Sequence, residues 1–149
     1  MIYQVQFLHE LKIRGILETV MKSVVICGSG RFKKEAREFA SKLKDLGVVV
    51  YEPYFHGRDE EWDKLSDYRK KFVALGLTHD HFYKIRMADV VFLYNKGGYC
   101  GNSSTLELGY AVALGKPIYA LSDKDEELCR KVLFREAIKT PRELVRKLK

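Results

Sequence analysis

No apolar run in this chain approaches the ~20 residues that a membrane-spanning helix needs, so no membrane partner is expected. The apolar residues near the start are interrupted by Glu10, Lys12, Arg14 and Glu18, a pattern that argues against a secretory signal. Cysteine is scarce. Cys27, Cys100 and Cys129 are odd in number and no pair has metal-ligand spacing. They are expected as free thiols in a reducing, cytoplasmic setting, with no metal and no cofactor. No helix-turn-helix, zinc or RNA-binding signature accompanies the net charge of +7. The charge therefore reads as a solvated basic surface, and specific nucleic-acid binding is not expected. Internal repeats, low-complexity tracts and linkers are also missing.

What is present fits one soluble domain: 149 residues, 46% of them hydrophobic and 32% charged. Apolar runs alternate with helical patterns. "SVVICG" (Ser23 to Gly28), "VVVYEP", "DVVFLYN" and "PIYAL" read as buried strands, and "LFREAI" as a short edge strand. Phe32, Ala36, Phe39, Ala40, Leu43 and Leu46 have helical spacing, stopped by Gly47. "THDHFYKIRMA" reads as a short helix with Thr78 as N-cap, and "STLELGYAVALG" as a helix closed by Gly115 before Lys116-Pro117. "DKDEELCRKV" is expected to be helical. "TPRELVRKLK" carries a full capping signature, with Thr140 as N-cap, Pro141 at the first helical position and Glu143 at the third. Such alternation implies a parallel α/β sheet with helices on both faces. Residues 1–21 do not fit it and are expected to be an N-terminal extension to a domain over residues 22–149.

Ligands of open parallel sheets bind beyond the carboxyl ends of the strands. "CGSGRF" and "NKGGYCGNSS" follow strands and belong at that edge, as do Asp80 and His81 if they open a crossover helix. Asp89 starts a strand, belongs at the opposite edge and is expected to be structural. Gly28, Ser29 and Gly30 lead into a helix, where N–H groups and the dipole can hold a phosphate and Arg31 can add a bidentate contact; a tight turn alone is the plainer alternative. The third glycine of a dinucleotide fingerprint, due near Lys33, is missing, which disfavours NAD. Glu107 has two readings. With Ser104 as N-cap, "STLE" is a capping box. An ionised carboxylate held in a cleft behind glycines can equally act as a nucleophile. Tyr54, Phe55 and Trp62 could stack on a base or pack a lid.

Together "CGSGRF", "MADVVFLYN" and "GYCGNSSTLELGYAVALGKPI" resemble the nucleoside 2-deoxyribosyltransferase superfamily, whose relatives include the 2'-deoxynucleoside 5'-phosphate N-hydrolases. The resemblance covers Lys22 to Ser122. It implies a flavodoxin-like (Rossmann-like) parallel five-stranded sheet, a homodimer or larger assembly, and cleavage of the bond between a nucleobase and C1' of a sugar. It also implies Glu107 as nucleophile, Ser29 and Arg31 on a 5'-phosphate, and contributions from the loop residues Gly101, Ser103 and Ser104, with Ser103 the best match. The family's first-strand tyrosine falls on Val25. Its sugar- or base-contacting aspartate falls on His81, beside Asp80. The expected activity is hydrolysis or transfer on a nucleoside 5'-monophosphate through a glycosyl-Glu107 intermediate, with Asp80 or His81 protonating the leaving base; a surface histidine at a helix start is the alternative for His81. Two other functions remain open at this point: a non-catalytic nucleotide-binding sensor, and a phosphoribohydrolase of the lysine-decarboxylase-like group.

Overall fold

The computed structural model describes residues 21–54 and 60–149. Residues 1–20, most of the expected extension, and Phe55 lie outside the described residues. Five strands form one sheet: β1 (Val24–Gly28), β2 (Val50–Tyr51), β3 (Val90–Tyr94), β4 (Ile118–Ala120) and β5 (Phe134–Ala137). All neighbours pair in parallel, in the order β2-β1-β3-β4-β5. This is the flavodoxin-like order, and its direction reverses beside β1. The crevice of such a sheet lies where the chains leaving β1 and β3 diverge.

Apolar side chains on both faces of β1 and β3 demand cover on both sides. The period of two along β1 sends Val24 and Ile26 to one face and Val25 and Cys27 to the other. On the first face lie α1 (Lys33–Asp45) and α6 (Pro141–Leu148). Ala36, Phe39, Ala40 and Leu43 of α1 are buried at i, i+3, i+4 and i+7, and Phe39 stacks on Phe92 at 4.6 Å. The capping box of α6 is formed: Glu143 N–H donates to Thr140 Oγ1 at 3.3 Å, and Glu143 Oε2 accepts from the Thr140 amide at 3.3 Å. Met21 packs against this core, and the Lys22 amide donates to Leu148 O at 3.1 Å.

The opposite face is covered by α3 (Asp67–Met87) and α4 (Asn102–Ala113), through Ile85, Leu108 and Ala111. A short helix, α2 (Glu60–Lys64), precedes α3. Among the described residues, no helix is long and apolar enough to cross a membrane.

Two sequence expectations are corrected here. Thr78 caps nothing. It lies inside the 21-residue α3, where its hydroxyl donates to Ala74 O at 2.8 Å. The N-cap is Ser66, which accepts from the Arg69 amide at 3.4 Å. The first half of α3 exposes Tyr68, Phe72 and Leu75, so no buried stripe announces it in the sequence. The helix expected in "DKDEELCRKV" shrinks to α5 (Leu128–Lys131). Asp125 delays its start, because its carboxylate accepts from the Glu127 amide at 2.9 Å and holds a local turn before the helix.

Asp89 is at the edge away from the crevice, as its place at the strand start implies. Its Oδ2 accepts from Ser23 N at 2.7 Å and Ser23 Oγ at 2.8 Å, tying the starts of β1 and β3 together. These bonds hold the Asp89 carboxyl below its usual pKa. Asp89→Ala is therefore expected to cost about 1 kcal/mol at neutral pH, a figure kept low by the exposure of the pair. A lowered folded-state pKa stabilises fully above the unfolded value, ~3.9, and the contribution fades as pH falls through the folded value. Urea unfolding of both proteins at pH 7 and below pH 4 checks this: the gap between them should narrow in acid.

Candidate active site

β1 ends at Gly28, where a Cβ would stand 3.0 Å from Tyr94 O. The missing side chain lets β1 and β3 run together up to the crevice. Beyond it, Ser29 Oγ accepts from the Arg31 amide at 3.2 Å and caps a 3-10 turn over Gly30–Phe32. The Phe32 amide bonds Ser29 O at 3.0 Å, so two of the turn's donors are committed internally. The Arg31 guanidinium lies 3.9 Å from the centroid of the Tyr99 ring, joining the first turn to the loop after β3.

That second loop is pinned from below. Buried Asn95 donates through Nδ2 to Ser122 O and accepts through Oδ1 from Ser122 N, both at 2.9 Å. Gly98 has φ 90° and passes so close to Lys124 that a Cβ would lie 2.1 Å from its carbonyl oxygen, so only glycine fits. The Asp125 carboxylate takes Arg130 in a two-point grip at 3.0 and 2.7 Å, and Arg130 Nη1 reaches Thr105 Oγ1 of α4 at 3.4 Å. Above these groups is a cavity of about 190 Å³ lined by Gly97, Gly98, Tyr99, Cys100, Glu126 and Arg130.

α4 begins at Asn102 with Gly101 as N-cap and no side-chain capping bond. The capping-box expectation for Ser104 and Glu107 is thus corrected: Ser104 is the third helical residue and Glu107 the sixth, a full turn too deep to reach the cap. Glu107 instead flanks the inward stripe of Ser104, Leu108 and Ala111. Its side chain is 16% exposed, and Oε2 lies 3.5 Å from His81 Nε2. Cys27 Sγ approaches the same nitrogen at 3.4 Å. Glu107 Oε2 and His81 Nδ1 are buried and make no hydrogen bond among the described residues. Unsatisfied buried polar atoms cost stability, and a catalytic role is one of the reasons they persist. Burial, followed by the Glu107 charge, pushes the Cys27 thiol well above its usual pKa.

His81 reaches the cluster from within α3, not from a helix start. It shares the buried stripe of Ile85 at i+4 and is itself 4% exposed, which removes the surface-histidine alternative. Asp80, one residue earlier, turns outward; its side chain is 47% exposed and pairs with Lys84 at 2.6 Å. Gly28, Ser29, Gly30, Arg31, Gly101 and Ser103 lie on the loops and helix starts at the carboxyl edge of the sheet, while Ser104 is buried in α4. Tyr54 is exposed and Trp62 partly buried. The first-strand residue beside Glu107 is Cys27, which the sequence reading treated only as a thiol. Its signal was the period of two along β1, counted back from Gly28 at the carboxyl end.

The fold and site define a flavodoxin-like α/β protein with a shielded carboxylate at the crevice of its sheet. A sequence profile of the family described as nucleoside 2-deoxyribosyltransferase matches residues 25–141, and the chain belongs to that family. Glycosyl transfer on nucleosides is the enzymatic class that this membership supports. No curated protein matches the sequence. Among solved structures, the chain is similar to a 2-deoxyribosyltransferase from Bacillus psychrosaccharolyticus, with TM-score 0.56 and 18% identity over 82% of this chain and 89% of that one. It is also similar to a conserved protein from Enterococcus faecalis V583, with TM-score 0.61 and 14% identity over 87% of this chain and 98% of that one. At these identities the likeness concerns the fold.

The three thiols should be separable by accessibility. Exposed Cys129 should react at once with a disulfide reagent, half-buried Cys100 more slowly, and buried Cys27 only when the protein unfolds. Counting thiols released before and after adding guanidinium checks this, and Cys27→Ala should remove the step that depends on unfolding.

Proposed function

We propose that this protein breaks the bond between a nucleobase and C1' of a nucleoside 5'-monophosphate, with Glu107 as nucleophile. The observation that carries the reading is the Glu107 carboxylate: partly shielded, without a hydrogen bond at Oε2 among the described residues, and free of any capping role. A Glu107 oxygen would form a bond to C1' while the bond to the base breaks and its electron pair leaves on the base nitrogen, which takes a proton. Water or a second base then attacks C1' and releases Glu107, giving hydrolysis or transfer. One hard displacement becomes two easier ones, as in retaining glycosidases.

In-line displacement puts the departing base opposite Glu107. His81 is more deeply buried than Glu107 and touches its carboxylate, so it would not reach the leaving nitrogen. We therefore read His81 as a positioning residue for Glu107, and the proton reaches the base from the open side of the cleft. Asp80, turned to solvent and held by Lys84, is a poorer candidate for either task. The 5'-phosphate would meet Arg31, Ser29 and the amide of Gly30, with Ser103 at the start of α4 closing the sugar side. An exposed apolar stripe on α3 (Phe72, Leu75, Tyr83 and Met87) supports a homodimer.

Glu107→Gln should still bind nucleotide but lose base release by at least about 10³-fold, as when a covalent nucleophile is removed. Its stability should stay close to that of wild type, because a partly buried charge is removed and no cap is lost. Near-normal turnover would end the proposal, and stabilisation by nucleotides without any base release would favour a sensor. Arg31→Ala should weaken monophosphate binding by about 1.5–3 kcal/mol and affect nucleosides much less. Equal losses would remove Arg31 from the phosphate. His81→Asn should lower kcat more than it raises KM and leave the shape of the pH–rate profile intact; loss of one limb would make His81 the acid instead.

A further inference from the structure

We propose that Cys27, His81 and Glu107 form a binding site for one borderline-soft divalent cation, Zn²⁺ above all, and that metal occupancy and turnover exclude each other. The site itself rests on geometry alone; the exclusion rests on the reading of Glu107 as nucleophile.

The three residues come from β1, α3 and α4, so no local spacing in the sequence reveals them. Their donor atoms all lie within 4.8 Å of one another. Zinc bonds of ~2.3 Å to thiolate sulfur, ~2.0 Å to imidazole nitrogen and ~2.1 Å to carboxylate oxygen, at tetrahedral angles, set neighbouring donors about 3.4–3.6 Å apart. The sulfur-to-nitrogen gap of 3.4 Å and the nitrogen-to-oxygen gap of 3.5 Å match two edges of that tetrahedron. Glu107 Oε2, buried and without a hydrogen bond among the described residues, is the third donor. The mixed sulfur, nitrogen and oxygen set suits zinc and disfavours magnesium or calcium, which take oxygen. Binding forms the S–Zn bond and releases the Cys27 proton to solvent. One thiolate and one carboxylate then cancel the charge of the ion, leaving a neutral complex among Val25, Ile85 and Leu108. Three protein ligands leave the fourth position for water. With an oxygen of Glu107 on the metal, its lone pair is unavailable to C1'.

Cobalt(II) serves as the probe, added to the full chain carrying Cys100→Ser and Cys129→Ser so that Cys27 is the only thiol. One equivalent should give a thiolate-to-metal charge-transfer band and tetrahedral d–d absorption. The charge-transfer band should vanish in Cys27→Ser. In His81→Ala and Glu107→Gln the affinity should drop at least tenfold. These variants are read beside one another, so misfolding of one does not decide the test. No band at ten equivalents, or a band whose affinity is unchanged in both His81→Ala and Glu107→Gln, overturns the site. One equivalent of Zn²⁺ should abolish base release from nucleoside 5'-monophosphates, and a chelator should restore it. A cobalt band with turnover unchanged or raised by zinc overturns the exclusion. If no nucleotide is cleaved even without metal, the proposed function falls while the cobalt spectra still decide the site.

Discussion

The pairing of β1 with β3 is the constraint on which the rest of the molecule depends. Five residue pairs, from Val24–Val90 to Gly28–Tyr94, lock the two strands in one register. The lower end is clamped by Ser23 and Asp89, and the upper end closes because Gly28 carries no side chain. Above that point the chains separate, one into the Ser29 turn and the other into the Gly97–Gly98 loop. The crevice is the space between them. A one-residue slip would exchange the faces of β1, sending Cys27 toward α1 and Ile26 toward Glu107. The polar cluster is therefore a consequence of register before it is one of side-chain choice.

Three polar side chains share a face otherwise built from Val25, Ile85, Val91, Leu93 and Leu108. Such a group is costly unless its partners are satisfied, and Glu107 Oε2 and His81 Nδ1 have no hydrogen bond among the described residues. The arrangement persists because each side chain hangs from an element fixed by other contacts. Cys27 sits in the central strand, His81 one turn before buried Ile85, and Glu107 beside Leu108 on a helix whose Thr105 meets Arg130, itself held by Asp125. Strain or desolvation at a functional centre survives only when the surroundings over-determine it.

The sequence disclosed those parts of the fold whose local chemistry agrees with their global role. Regular burial along α1, the capping box at Thr140 and the β-branched runs of β1 and β3 each point to one structure. It misled where local and global signals part. "STLE" has the letters of a capping box, but the helix starts earlier, because Gly101 can serve as N-cap without a side chain and Asn102 continues the turn. The same error hid the depth of Glu107. The sequence points to His81 as the opening of a helix; it belongs to the cluster because it lies on the buried stripe of a much longer one. Cys27 reads in the sequence only as a free thiol, since a lone thiol acquires meaning only from neighbours 54 and 80 residues away in the chain.

The first turn carries a further consequence for the proposed phosphate contact. A glycine turn at a helix start commonly holds anions through several free amides. Here the Arg31 amide is taken by Ser29 Oγ and the Phe32 amide by Ser29 O. The backbone contribution is narrowed, and the burden shifts to the guanidinium. Stacking on Tyr99 limits the rotamers of an otherwise exposed, flexible side chain, so less freedom is lost when an anion arrives. Tyr99 belongs to the loop that leads into α4. Recognition of the phosphate and placement of Glu107 would thus meet in one short segment, held at one end by the ring of Tyr99 and at the other by the grip of Arg130 on Thr105.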